Sequence, residues 1–79
     1  MWHIYILRCN DGTLYTGSTT DIDRRLKEHN RRKGGAYTRS RLPVTLMYKE
    51  DCADQSTALK REAEIKRLTR KNKLELIRA

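Results

Sequence analysis

The chain has no phenylalanine, one proline, one tryptophan and only two cysteines. Its longest apolar runs are a few residues long, whereas a membrane-spanning helix needs about 20, so no membrane partner is expected. A secretory leader would place a basic segment ahead of an apolar one. The N-terminal MWHIYILR shows no such order, and the expected compartment is the cytoplasm. Cys9 and Cys52 form no Cys-x-x-Cys pair and are too few for a disulfide framework, so both are read as reduced. Together with His3 and His29 they fit no familiar zinc-finger spacing. At 79 residues the expectation is one domain, residues 1–79, burying only about 60% of its unfolded surface.

What the chain has in excess is positive charge, +8 overall, and it is unevenly spread. Residues 1–20 are neutral, residues 21–41 carry +5, residues 42–57 carry −2 and residues 58–79 carry +5. Two basic blocks flanking an acidic stretch attract polyanions, of which nucleic acid is the commonest in cytoplasm. The same charge also serves solubility alone, because net charge speaks to association and not to fold.

The local signals give an α+β domain. Residues 2–8 and 13–18 are rich in β-formers, and Asn10-Asp11-Gly12 between them signals a hairpin. Thr20 with Asp23 resembles a capping box for a helix over about residues 21–32, ending at Gly34-Gly35. Residues 34–42 read as a basic loop, and Val44 to Tyr48 as a short strand. Asp54 or Ser56 opens a second long helix reaching about Leu68, and residues 71–78 form a short terminal one. The predicted order is ββαβαα, a three-stranded antiparallel sheet flanked by helices.

Two register arguments sharpen this. A two-residue hairpin loop, Asp11-Gly12, would put Tyr5 and Tyr15 on opposite faces of the sheet. A three-residue loop, with Gly12 left-handed, pairs Tyr5 with Gly17 and Leu7 with Tyr15, so both tyrosines share a face. Glycine in the third position favours the second arrangement. On the first helix, at about 100° per residue, Arg25 and His29 border the apolar stripe of Ile22 and Leu26, whereas Arg24 faces solvent. On the second long helix, an apolar arc from Leu59 through Ala58 and Ile65 encloses Glu62. A carboxylate in such an arc needs a cation, a metal or donors, and an ion pair with Arg25 or another arginine would satisfy it structurally.

These residues carry a resemblance. Ile4-Tyr5, then Tyr15-Thr16-Gly17, Arg25 followed by His29-Asn30, and Ala58-Leu59 leading to Glu62 resemble the GIY-YIG nuclease superfamily. The resemblance spans Trp2 to about Leu76 and is closest to that superfamily's small, stand-alone bacterial branch. That branch is similar to the cleavage domain of the excision-repair nuclease UvrC and to intron-encoded homing endonucleases. His3 stands where the first motif has glycine, and Thr16 occupies the middle of the second motif.

The resemblance implies catalytic roles for Tyr5 as general base, Tyr15 as support for water or phosphate, Arg25 as phosphate charge stabiliser and His29 beside them. It implies that Glu62 binds one metal, Mg²⁺ or Mn²⁺. Magnesium often binds through one carboxylate, several waters and a substrate phosphate. A tyrosine is a poor base at its reference pKa of about 10, and Arg25 and the metal are expected to lower it. Candidate nucleic-acid contacts are Arg31, Arg32, Lys33, Arg39 and Arg41 around the glycine turn, and Lys66, Arg67 and Arg70 in the second block. These are phosphate-type contacts that position a strand without reading it. Tyr37 is placed either to stack on a base or to pack.

Two readings of function compete. One is a metal-dependent endonuclease acting on DNA, with RNA as the other candidate. The other is a nucleic-acid-binding or regulatory module of DNA repair or recombination with negligible turnover. Retention of Tyr5, Tyr15, Arg25 and Glu62 together favours the first. A monomer in isolation is expected, with a protein partner as one source of substrate specificity.

Overall fold

Gly12 adopts φ +85°, a left-handed conformation that costs glycine little. It completes the three-residue loop: Cys9 N–H donates to Thr13 C=O at 2.8 Å, and Gly12 N–H to Cys9 C=O at 2.9 Å. Asp11 Oδ1 accepts from Thr13 N–H at 3.1 Å and Thr13 Oγ1 at 2.6 Å. This turn fixes the pairing of β1 (Trp2–Arg8) with β2 (Leu14–Thr19). Tyr5 lies opposite Gly17 and Leu7 opposite Tyr15, the register predicted from Gly12.

The computed structural model describes all 79 residues. After β2 come α1 (Ile22–Asn30), α2 (Ala36–Arg39), β3 (Thr45–Cys52), α3 (Gln55–Lys66) and α4 (Arg70–Arg78). The strands form one antiparallel sheet in the order β2-β1-β3. This is the α+β fold and element order expected, with one added helical turn, α2.

The central strand β1 is apolar without alternation at Ile4-Tyr5-Ile6-Leu7, and all four residues are buried, because helices cover both faces of the sheet. Ile4 and Ile6 pack with Cys52, with Ala58 and Ile65 of α3, and with Leu76 and Ile77 of α4. Tyr5, Leu7 and Cys9 pack on the other face with Val44 and with Ile22 and Leu26 of α1.

Several boundaries differ from expectation for local reasons. The cap of α1 is Asp21, not Thr20: its carboxylate accepts from Arg24 N–H at 3.0 Å. The helix ends at Asn30, before the glycines, because Arg32 takes the left-handed conformation (φ 64°) and Lys33 N–H closes on Glu28 C=O at 2.8 Å. Residues 36–39, expected as loop, form a helical turn held by Thr38. β3 runs on to Cys52, because Lys49, Glu50 and Asp51 pair along β1 and an edge strand accommodates charge. α3 is capped by Asp54 and stops at Lys66, short of Leu68. Leu59, taken as part of the buried arc, is 52% exposed. The buried line on α3 is Ala58 and Ile65, with Glu62 half-buried between them.

A polar strut joins β3 to α3. Arg61 Nε and Nη2 donate to both carboxylate oxygens of Glu50 at 2.8 to 3.2 Å, and Tyr48 Oη donates to Glu50 Oε2 at 2.5 Å. The Arg61 hydrogen bond holds the Glu50 carboxyl below the usual carboxylate range, against an opposing push from burial. A depressed carboxyl stabilises the fold above its unfolded pKa and loses that contribution as pH falls through its folded value. Wild type should therefore lose thermal stability below about pH 4. Arg61→Ala should be less stable at neutral pH by about 1 kcal/mol and show a shallower acid limb. Melting curves of both proteins between about pH 7 and pH 3 check this.

Thr16 is the opposite case. It is 3% exposed, faces the α3 side of the sheet, and its Oγ1 has no hydrogen-bond partner. Burying an unpaired hydroxyl costs roughly 1 kcal/mol or more. Thr16→Val keeps the branched shape, so it should raise the melting temperature by about 4–8 °C per kcal/mol gained, read by calorimetry.

Candidate active site

On the α1 face, the shared register of Tyr5 and Tyr15 brings their rings to 6.4 Å between centroids. Glycine is required opposite Tyr5: a Cβ on Gly17 would stand 2.5 Å from Tyr5 Oη. The phenol thus lies directly over the β2 backbone. From α1, His29 reaches the same point, its Nε2 3.1 Å from Tyr5 Oη and its ring 5.5 Å from that of Tyr15, edge-on. His29 is fully buried. Its Nδ1 lies 2.8 Å from Thr38 Oγ1, and Gly34 packs against the imidazole so closely that any Cβ there would collide with Nδ1.

Arg25, one turn before His29, stands beside the Tyr5 hydroxyl and donates from Nη1 to Glu28 Oε1 at 3.2 Å. Burial raises the Tyr5 pKa; Arg25 pulls it back, while the charges of Tyr15 and Glu62 push it further up. Arg25 favours phenolate, as expected, but the net direction is upward because burial is the larger effect. Desolvation outweighs one guanidinium, and at neutral pH Tyr5 is a protonated phenol. Burial, and then the Arg25 charge, lower the His29 pKa, so the imidazole is neutral at pH 7.

Glu62 approaches from α3 with its side chain 17% exposed, near enough for its charge to act on Tyr5. The structural pair with Arg25 does not form. Glu62 Oε2 instead meets Lys66 Nζ at 2.6 Å, one turn along α3. No group of three or more His, Cys, Asp or Glu side chains gathers to hold a metal. A lone, mostly covered carboxylate fits a hard cation that completes its shell with waters and phosphate, the habit of Mg²⁺, and does not fit zinc, which takes three or four protein ligands.

The basic residues divide. Arg31, Arg32 and Lys33 are exposed on the turn whose Gly34 packs on His29. Arg39, Arg67 and Arg70 are also exposed. Lys66 is engaged by Glu62. Arg41 is committed within the fold: Nε donates to Asp11 Oδ2 at 3.1 Å, Nη1 donates to Tyr37 C=O at 2.7 Å, and Cζ lies 4.1 Å from the Tyr37 ring centroid. Tyr37 stacks on Tyr15 at 5.7 Å and is 40% exposed.

One contributor had no sequence signal, and another had a signal that did not show its role. Thr38, nine residues from His29, has neither capping nor periodic character. Asn30 sits inside the His29-Asn30 motif, yet its amide clamps the start of β3, accepting from Val44 N–H at 2.8 Å and donating to Val44 C=O at 3.3 Å.

The three-stranded antiparallel sheet thus brings Tyr15, Arg25 and His29 to the Tyr5 phenol, with Glu62 of a later helix near it. The family model of the GIY-YIG catalytic domain matches residues 1–75, and the chain belongs to that nuclease family. It is 56% identical over 79 residues to the UPF0213 protein DP2720 of Desulfotalea psychrophila, covering 99% of this chain and 72% of that one. It is 51% identical over 73 residues to the UPF0213 protein VNG_2274C of Halobacterium salinarum, covering 92% and 95%. The solution NMR structure of the UPF0213 protein BH0048 from Bacillus halodurans superposes with a TM-score of 0.62 at 44% identity, over 98% of this chain and 83% of that one. No helix is long and apolar enough to cross a membrane.

Proposed function

We propose that this protein is a metal-dependent endonuclease that hydrolyses phosphodiester bonds in DNA. The observation that carries this reading is the Tyr5 hydroxyl, 3.1 Å from a neutral buried imidazole with Arg25 and Glu62 close by. A phenol with a raised pKa is not a base by itself. It becomes one when its proton leaves as another arrives: Tyr5 Oη takes a proton from the attacking water while its own proton passes to His29 Nε2. The water oxygen bonds to phosphorus, the P–O bond to the leaving oxygen breaks, and solvent protonates that oxygen.

Arg25 presents planar donors to the phosphate oxygens. Glu62 would hold the divalent ion, Mg²⁺ or Mn²⁺, which when bound supplies Lewis-acid charge at the phosphoryl group. Arg31, Arg32, Lys33 and Arg39, with Arg67 and Arg70, are the exposed cations that grip the phosphate backbone, while Lys66 is held by Glu62. Tyr15 carries Tyr37 at the rim, and Arg41 fixes Tyr37 in place.

One observation favours the binding-module reading. Lys66 already neutralises Glu62, so the positive surface can meet phosphate without a metal. The deciding experiment incubates the protein with labelled single-stranded, duplex, flap and junction DNA, and with RNA, in Mg²⁺, Mn²⁺ or EDTA. Cleavage that requires the divalent ion supports the nuclease and identifies its substrate. Binding that weakens steeply with salt, with no cleavage under any condition, assigns the binding module instead.

A further inference from the structure

Thr38 is fully buried on the one-turn helix α2, and its single hydroxyl has two neighbours. Thr38 Oγ1 lies 3.2 Å from Gly35 C=O and 2.8 Å from His29 Nδ1. Gly35 C=O can only accept; it takes the Arg39 N–H at 3.3 Å, and the threonine hydroxyl adds a second bond there. The hydroxyl lone pairs then face Nδ1, which must carry hydrogen to bond there. A neutral imidazole has one N–H, so Nε2 is left bare, and Tyr5 Oη at 3.1 Å donates to it.

This arrangement makes three hydrogen bonds in one direction: Tyr5 to His29, His29 to Thr38, and Thr38 to the Gly35 carbonyl. The reverse tautomer, with hydrogen on Nε2, makes two, and its Nε2–H points at the phenolic oxygen, where it cannot receive a proton. One further bond inside a buried site is enough to fix a tautomer.

The threonine is itself held in place. Arg41 N–H donates to Thr38 C=O at 2.9 Å, and Asn10 N–H donates to Arg41 C=O at 2.8 Å. Arg41 Nε binds Asp11 at the hairpin tip. Gly34 runs so close to the imidazole that a Cβ there would collide with Nδ1. The strap from Gly34 to Arg41 therefore sets the imidazole from behind.

We propose that Thr38 is a positioning residue that holds the His29 proton on Nδ1, keeping Nε2 free to take the proton of Tyr5. The catalytic half of this proposal rests on the nuclease reading above; the tautomer half does not.

The test uses the full chain labelled with ¹⁵N-histidine, as wild type, Thr38→Ser and Thr38→Val. Long-range proton–nitrogen spectra at neutral pH report which ring nitrogen carries hydrogen. Wild type and Thr38→Ser should both show His29 protonated at Nδ1. Thr38→Val should shift His29 toward the Nε2–H form and lower kcat on the cleaved substrate by about 100-fold, with KM unchanged and Thr38→Ser restoring the rate. A wild type protonated at Nε2 would overturn the proposal, whether or not Thr38→Val folds. So would a folded Thr38→Val that keeps the wild-type tautomer. If wild type cuts nothing in any metal, the nuclease reading fails, while the spectra still decide the tautomer.

Discussion

Tyr5→Phe should fold like the wild type and lose about 100-fold to 10,000-fold in cleavage rate. The ring belongs to the buried cluster of Leu7, Cys9 and Val44, and phenylalanine keeps that contact. Only Oη is lost, with its bond to His29 Nε2, so the stability cost is about 1 kcal/mol. The chemistry loses more. Without Oη nothing stands between the attacking water and the buried imidazole, which is fully shielded from solvent and has no direct path to a substrate. The defect should fall on kcat, because Arg25 and the basic residues proposed to hold phosphate are untouched. Single-turnover rates with saturating enzyme, alongside anisotropy binding curves, separate the two quantities. A Tyr5→Phe protein that cuts at the wild-type rate removes Tyr5 from the mechanism.

The structure explains why part of this site was legible in sequence and part was not. The register of β1 on β2 followed from one glycine, because a side-chain period of two lets a three-residue turn decide which residues share a face. Tyr5, Tyr15 and Gly17 were thereby placed together before any tertiary contact was known. Arg25 and His29 followed from the period of α1. The arc on α3 was centred too far toward Leu59, because a leucine reads as core wherever it stands; the helix buries the small Ala58 instead, and Glu62 kept its place only because it lies on both arcs. Thr38 left no trace, since its role is a tertiary contact from α2 to His29 on α1. The Glu50–Arg61 strut was hidden because charges at the end of an edge strand look solvated. The sign of the Tyr5 shift was also hidden: sequence shows the nearby arginine but not the burial that outweighs it.

Glu62→Gln is the second large effect. Its structural cost should be small, within roughly 0.5 kcal/mol, because the only partner of Glu62 is Lys66, whose side chain is 50% exposed, and half-solvated i,i+4 pairs contribute little. Glutamine keeps the volume between Ala58 and Ile65 and removes the charge. Affinity for nucleic acid should hold or rise, since one negative charge leaves a positive surface. Metal-dependent cleavage should fall by about 1,000-fold or more, because Lewis-acid stabilisation of the developing charge supplies several kcal/mol and no group of three or more ligating side chains gathers elsewhere to replace it. Lys66 sharpens the expectation, since a divalent ion competes with its ammonium for the Glu62 carboxylate. The wild-type melting temperature should therefore rise with Mn²⁺, and that of Glu62→Gln should not move. Cleavage by Glu62→Gln at the wild-type rate, or an equal Mn²⁺ response in both proteins, would take the metal away from α3 and leave Glu62 as the partner of Lys66 alone.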